Sequence, residues 1–169
     1  MLCVIAKLDD ASTEKLEKLR RAALPASAAL KPLYGHITLA AYVGGGEADF
    51  LRSCREMLEG LASFAVEYDR LAVLEETAIL VALPRKSGLL ETLHRRIAAR
   101  WEDSLDAWTG TERWAPHTTL LCSRSLDLHR LCADMEKRFA PFLAKVTRIE
   151  FSRVLEDGYE IAERIELAP

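Results

Sequence analysis

Two tetrapeptides in this chain carry groups that exchange protons near neutral pH: His36-Ile37-Thr38-Leu39 and His117-Thr118-Thr119-Leu120. An unperturbed imidazole titrates near ~6.5, so one histidine can be neutral and take a proton while a second, protonated, gives one. Two residues after each histidine, a threonine hydroxyl is placed to hydrogen-bond an anionic oxygen. Two imidazoles and two hydroxyls around one centre suit phosphoryl chemistry without a metal. The chain holds nine Thr and 27 Leu in 169 residues. The chance that two of its four histidines each carry Thr at +2 and Leu at +3 is therefore on the order of one in two thousand.

Such groups need rigid supports. On a strand, side chains alternate, so His36 and Thr38 share one face while Ile37 and Leu39 take the other, and His117 and Thr119 are paired in the same way. Hydrophobic period and cap signals predict strand, helix, strand, helix, strand at 2–8, 12–24, 34–43, 48–61 and 63–74. The order then repeats: a strand at 77–84, a helix from Ser87, a strand at 114–123, a helix at 126–139, and strands at 145–155 and 159–167 around an Asp157-Gly158 turn. Corresponding elements are offset by about 75 to 81 residues, which points to internal duplication. The expectation is an α+β fold of two pseudo-symmetric strand-helix-strand-helix-strand units around a central cleft, with lobes at 1–75 and 76–169. The stretch 103–113 is the longest expected loop, and its place just before His117 makes it a candidate rim.

Composition narrows the classes. The formal charge is −3 and the pI about 5.9, which argues against a broad basic face for long nucleic acid. No run approaches a membrane span, and MLCVIAKLDD meets acidic residues too early for a secretory segment, so a cytoplasmic protein is expected. Cys3, Cys54, Cys122 and Cys132 lack metal or disulfide spacing and read as buried reduced thiols. No metal or other cofactor is expected, and with the cleft made within one chain the default is a monomer without an obligate protein partner.

The paired motifs H36-I-T38-L and H117-T-T119-L, with the duplicated order of elements, resemble the two-histidine (2H) phosphoesterases, which include the LigT-like 2′-5′ RNA ligases. The resemblance implies a two-lobed fold in which His36, Thr38, His117 and Thr119 line a cleft. It further implies metal-independent opening of 2′,3′-cyclic phosphates or cleavage of related 2′-5′ phosphodiesters on nucleotides or RNA ends. Relatives often carry an aromatic residue five positions after the first histidine and an arginine five after the second, where this chain has Ala41 and Cys122. Tyr42 and Arg124 lie nearby, and with Trp114 they are the candidate substrate contacts. The departures also motivate an alternative of another class, a module that binds a nucleotide or RNA end without turning it over. His94 and His129 read as surface or boundary histidines, and EKLEKLRR as a solvated helix face. Arg95, Arg96 and Arg100 form a possible basic patch that the acidic net charge keeps from being read as an RNA path.

Overall fold

Strands and helices alternate in the predicted order. They are β1 (Leu2–Leu8), α1 (Asp10–Ala22), β2 (His36–Tyr42), α2 (Glu47–Leu58), β3 (Phe64–Leu74), β4 (Ile79–Pro84), α3 (Gly88–Trp101), β5 (Thr118–Cys122), α4 (Leu128–Glu136), β6 (Phe142–Leu155) and β7 (Gly158–Glu166). The computed structural model describes residues 1–169 except Ala26, Ser27, Ala29, Ser87 and Asp157. The expected helix start at Ser87 and the first residue of the Asp157-Gly158 turn thus lie outside the described residues. Local chemistry sets the boundaries. The Asp9 carboxylate accepts from the Ser12 N–H at 2.9 Å and starts α1, and Asp127 does the same for α4 through Arg130 N–H at 3.0 Å. Helix α2 is capped at its start by Gly46, whose φ of 83° favours a residue without a side chain. No helix among the described residues is long and apolar enough to cross a membrane.

Strands β2 and β4 start two residues later than expected, at His36 and Ile79, and two other strands depart further. The second histidine strand was expected over 114–123 but spans Thr118–Cys122, leaving His117 one residue ahead of it. Pro116 has no N–H to give a ladder, and the Trp114 N–H is taken by Gly110 O at 3.0 Å. Strand β6 begins at Phe142 rather than Lys145, because Phe142–Val146 pair with β3.

The sheet order is β2-β1-β6-β3-β4-β5, with β7 added to β6, and the named strand pairs are all antiparallel. Exchanging β1 with β4, β2 with β5 and β3 with β6 gives the same order reversed. A pseudo-twofold axis therefore passes between β3 and β6, and the fold is an α+β duplication around a cleft. Strand pairings cross the expected division at residue 75: β3 joins β4, and β6 joins β1. Helices cross as well, with α3 packed on β2 and α1 on β5.

The duplication extends to single residues. In the β1–β2 ladder, Ile5 faces Thr38 and Val4 faces Ala40, so Leu39 is bulged out of register. In the β4–β5 ladder, Val81 faces Thr119 and Leu80 faces Leu121, so Leu120 is bulged in the same way. Both leucines are buried in the core. A bulge re-aims the side chains around it and leaves a backbone group without a ladder partner. Each orphan carbonyl is met by the other half: Leu39 O accepts from His94 Nδ1 at 2.9 Å, and Leu120 O from Arg20 Nη1 at 3.3 Å. These contacts correct two expectations. His94 is buried rather than at the boundary, and Arg20, within EKLEKLRR, is buried rather than solvated. His129 is exposed, as expected.

Gly35 precedes the first histidine where α1 comes closest. A β-carbon there would lie 2.5 Å from Thr13 Oγ1 and 3.1 Å from Thr13 Cβ. Gly35→Ala is expected to destabilise the fold by about 1–3 kcal/mol. Gly45→Ala, with open space at its β-carbon position, should stay within about 0.5 kcal/mol of wild type. Urea unfolding of the two variants checks this, and equal midpoints would contradict it.

Candidate active site

Strands β2 and β5 end the sheet path, yet their edges meet. Thr118 Oγ1 donates to His36 O at 2.8 Å, and Trp114 Nε1 donates to Thr38 O at 2.9 Å. Tyr68 OH lies 2.5 Å from Thr118 Oγ1, so its proton completes a chain from β3 to the backbone of His36. Tyr68 and Thr118 are both buried. Alternation along β5 turns Thr118 away from His117 and Thr119, so neither Tyr68 nor Thr118 was among the expected site groups. One signal was available: Thr118 is polar at the place where the first motif has the apolar Ile37.

The two imidazoles are held alike. His36 Nδ1 lies 2.6 Å from Tyr34 O, and His117 Nδ1 lies 2.8 Å from Ala115 O, in each case the carbonyl two residues back. A carbonyl only accepts, so each Nδ1 carries the proton and each Nε2 is left for chemistry. Thr38 and His117 line a cleft of about 480 Å³ together with Cys3, Trp108, Arg113 and Trp114. Burial pushes the His36 pKa below the ordinary imidazole value; the bond to Tyr34 O works against this, and the Lys7 and His117 charges add to it.

Beside His36 lies a polar network that the motif did not reveal. Lys7 stands directly across the ladder from His36 and donates to Leu8 O at 2.9 Å and Thr13 Oγ1 at 3.3 Å, with its Nζ 4.7 Å from the Tyr34 ring centre. The Tyr34 hydroxyl donates to Glu150, a fully buried carboxylate that also accepts from Arg148 Nε at 2.8 Å and pairs with Arg164 at 3.3 Å. Burial, with the Glu150 contact, pushes the Tyr34 pKa up to about 12, so this phenol is a fixed donor. A buried carboxylate needs such partners. The second motif lacks the lysine: Leu83 follows Ala82, the partner of Thr118, as Lys7 follows Ala6, the partner of Ile37. The pseudo-symmetric site is thus electrostatically uneven.

The structure redistributes the candidate contacts. Tyr42 is not a cleft residue. It is buried, stacked on Phe50 with centroids 4.3 Å apart and edge-on to Trp101 at 5.6 Å, because the end of β2 is covered by α2 and α3. Arg124 is exposed in the turn after β5 and is absent from the cleft lining. Trp114 does form cleft wall, with its ring stacked on His94 at 4.1 Å. The expected rim loop is held down on β2: Asp106 N–H donates to Ala41 O at 2.8 Å, and Ala41 N–H to Thr109 Oγ1 at 2.9 Å. It also brings in Trp108, half-exposed, with Arg113 5.4 Å from its ring centre. Of the cysteines, all free, Cys54 and Cys132 are buried and Cys3 is partly so, whereas Cys122 is exposed at the end of β5, a correction to the expectation of buried thiols. No cluster of three or more His, Cys, Asp or Glu suited to a metal occurs among the described residues.

Solved structures share this architecture. Escherichia coli LigT in apo form aligns over 99% of this chain and 97% of its own with a TM-score of 0.64 at 18% identity. TT0787 of Thermus thermophilus aligns over 98% of this chain and 97% of its own with a TM-score of 0.70 at 17% identity. LigT complexed with 3′-AMP matches over 99% of this chain and 98% of its own, at 18% identity and a TM-score of 0.63. No curated protein sequence matches the chain. Residues 8–158 match the family model of the 2′-5′ RNA ligase superfamily, and the chain belongs to that superfamily, with the two-histidine phosphoesterase fold.

Proposed function

We propose that this protein is a metal-independent phosphodiesterase that opens 2′,3′-cyclic phosphates, or cleaves related 2′-5′ phosphodiesters, on nucleotides or RNA ends. The observation that carries this reading is the matched presentation of two imidazoles, each with Nδ1 tied to the carbonyl two residues back and Nε2 left unengaged. One neutral Nε2 takes a proton from water as the water oxygen attacks phosphorus. The bond from phosphorus to a ribose oxygen breaks, and that oxygen receives its proton from the other imidazole, leaving a phosphomonoester. Thr38 and Thr119 donate to the non-bridging oxygens as negative charge grows there. The 3′-AMP seen with LigT carries its phosphate as such a product would. The proposed setting is a cytoplasmic monomer.

Each of His36→Ala and His117→Ala is expected to lower kcat/KM on a nucleoside 2′,3′-cyclic phosphate by on the order of 10³-fold, with chelator leaving wild type unaffected. Product analysis by chromatography checks this, and robust turnover by the double variant would rule the reading out. Saturable nucleotide binding without product would instead support the non-catalytic module. Thr118→Val removes the proton given to His36 O and strands the Tyr68 hydroxyl. It should lower stability by ~1–3 kcal/mol and slow turnover, although Thr118 faces away from the cleft.

The titration of His36 follows from its surroundings. Depressed by burial, its folded-state pKa lies under the ordinary value of ~6.5, so the neutral form persists to lower pH than in a free imidazole. Its ring signals in an NMR titration of the ligand-free protein should therefore move below pH ~6.5. Lys7→Met, which removes a neighbouring cation, should move the midpoint up. A midpoint above the ordinary value in wild type would show that burial does not govern this group.

A further inference from the structure

Tyr34 O and Ala115 O hold the two imidazoles in the same way, but the backbone that carries each carbonyl is fixed differently. Ahead of His117 stand Trp114, whose indole donates to Thr38 O, and Pro116, whose ring fixes its φ. Their counterparts ahead of His36 are Leu33 and Gly35. A proline at 35 is excluded, since even a β-carbon there would lie 2.5 Å from Thr13 Oγ1. Leu8 N–H holds Gly35 O at 3.0 Å, yet no backbone N–H among the described residues meets Tyr34 O. The first half must place this carbonyl by other means.

The Tyr34 side chain supplies them. Its hydroxyl is anchored on Glu150, which Arg148 and Arg164 hold from the other side. Replacing a buried ion pair by an apolar side chain is often neutral or stabilising, so stability alone does not account for a fully buried carboxylate at 150. Pseudo-symmetry locates what does. Glu150 faces Ile5, which faces Thr38, and the equivalent path from Thr119 through Val81 ends at Ala72. The counterpart of Tyr34 is Ala115. Phenol and carboxylate thus occur together in the half that has Gly35, and both are alanine in the half that has Pro116.

We propose that Glu150 is a positioning residue for His36: by anchoring the Tyr34 hydroxyl it fixes the Tyr34 carbonyl against Nδ1, which keeps the proton on that nitrogen and leaves Nε2 as the reactive one. The buried ion cluster then serves one imidazole of the pair, where the other relies on a proline and an indole. The effect on turnover rests on the phosphodiesterase reading, whereas the effect on the ring does not.

The test reads the His36 tautomer from the ring nitrogen shifts in NMR spectra of the ligand-free protein, at a pH where the imidazoles are neutral. His117 is the internal control, and kcat and KM on cytidine 2′,3′-cyclic phosphate are measured alongside. Wild type should carry the proton on Nδ1 in both rings. Tyr34→Phe keeps the ring beneath Lys7 and against Tyr159 and removes only the hydroxyl. His36 should then populate the Nε2–H tautomer while His117 does not, and kcat should fall about 10- to 100-fold with KM within about 2-fold. Glu150→Gln, whose amide oxygen still accepts from the phenol, should retain the wild-type tautomer, whereas Glu150→Leu should lose it. Added to Tyr34→Phe, Glu150→Leu should cost no further turnover, because the two residues act in series. That double variant leaves neither a phenol nor a carboxylate buried without a partner, so it carries the test if Glu150→Leu alone does not fold. An unchanged His36 tautomer in Tyr34→Phe, an equal change at His117, or multiplied losses in the double variant would overturn the proposal. A wild type that turns over no cyclic phosphate, with a tautomer shift confined to His36 in Tyr34→Phe, would retain the positioning role and sink the catalytic reading.

Discussion

The outer edge of β2 is the constraint on which the rest of the molecule turns. An edge strand presents carbonyl and N–H groups with no ladder partner, and when the edge is buried each of them must be met. Here the second half of the chain meets them one after another. Thr118 reaches His36 O, Trp114 reaches Thr38 O, His94 reaches Leu39 O, and Thr109 and Asp106 hold the two sides of the Ala41 peptide groups. Ser104 O then accepts from Val43 N–H at 2.8 Å. No β-ladder joins the two histidine strands; side chains and loop backbone do. Thr38 and Ala41 of β2 and His117, just ahead of β5, line the cleft beside this seam.

Symmetry organises this closure, and small departures from symmetry make it chemical. The bulges at Leu39 and Leu120 are equivalent, and each draws a donor from a helix of the opposite half. The donors differ, arginine on one side and histidine on the other. So do the residues inside the motifs, Ile37 against Thr118, and the residues beside them, Lys7 against Leu83. The two half-sites are thus unlike in charge, with Lys7, Arg148 and the buried Glu150 beside His36, and with Trp108, Trp114, Arg113 and Asp106 in the cleft that His117 lines.

Much of this was legible in the sequence. Hydrophobic period placed the elements because each helix and strand buries one face, and of the four polar groups in the doubled His-x-Thr-Leu, Thr38 and His117 line the cleft whereas His36 and Thr119 are absent from its lining. What stayed hidden depends on tertiary geometry. Tyr42 reads as a strand-end aromatic free to stack on a base, but Phe50 and Trp101, supplied by α2 and α3, enclose it. His94 falls at the margin of an apolar stripe, and only the orphan carbonyl of a bulge 55 residues away explains why it is buried. Glu150, an acid in a strand otherwise read as an ordinary hairpin arm, draws in Tyr34 from 116 residues away. Swapped strand pairing is likewise invisible to local period, since β3 and β6 look alike whichever half they join.

The exchange of strands also dictates an order of assembly. Among these strands β1 is made before the others, but its central partner is β6, and Leu2 finds Arg153 only after the intervening elements have been made. The β3–β4 pair is joined by a short turn and needs no such wait. Contacts of long sequence separation form late because the loop must close before they are rewarded. Each histidine strand has a near neighbour to seat on, β2 on β1 and β5 on β4, and what must wait is β6, which joins β1 to β3. Strand β1 has β2 on one edge early, but its other edge stays open until β6 emerges, and an open strand edge is a template for misassociation.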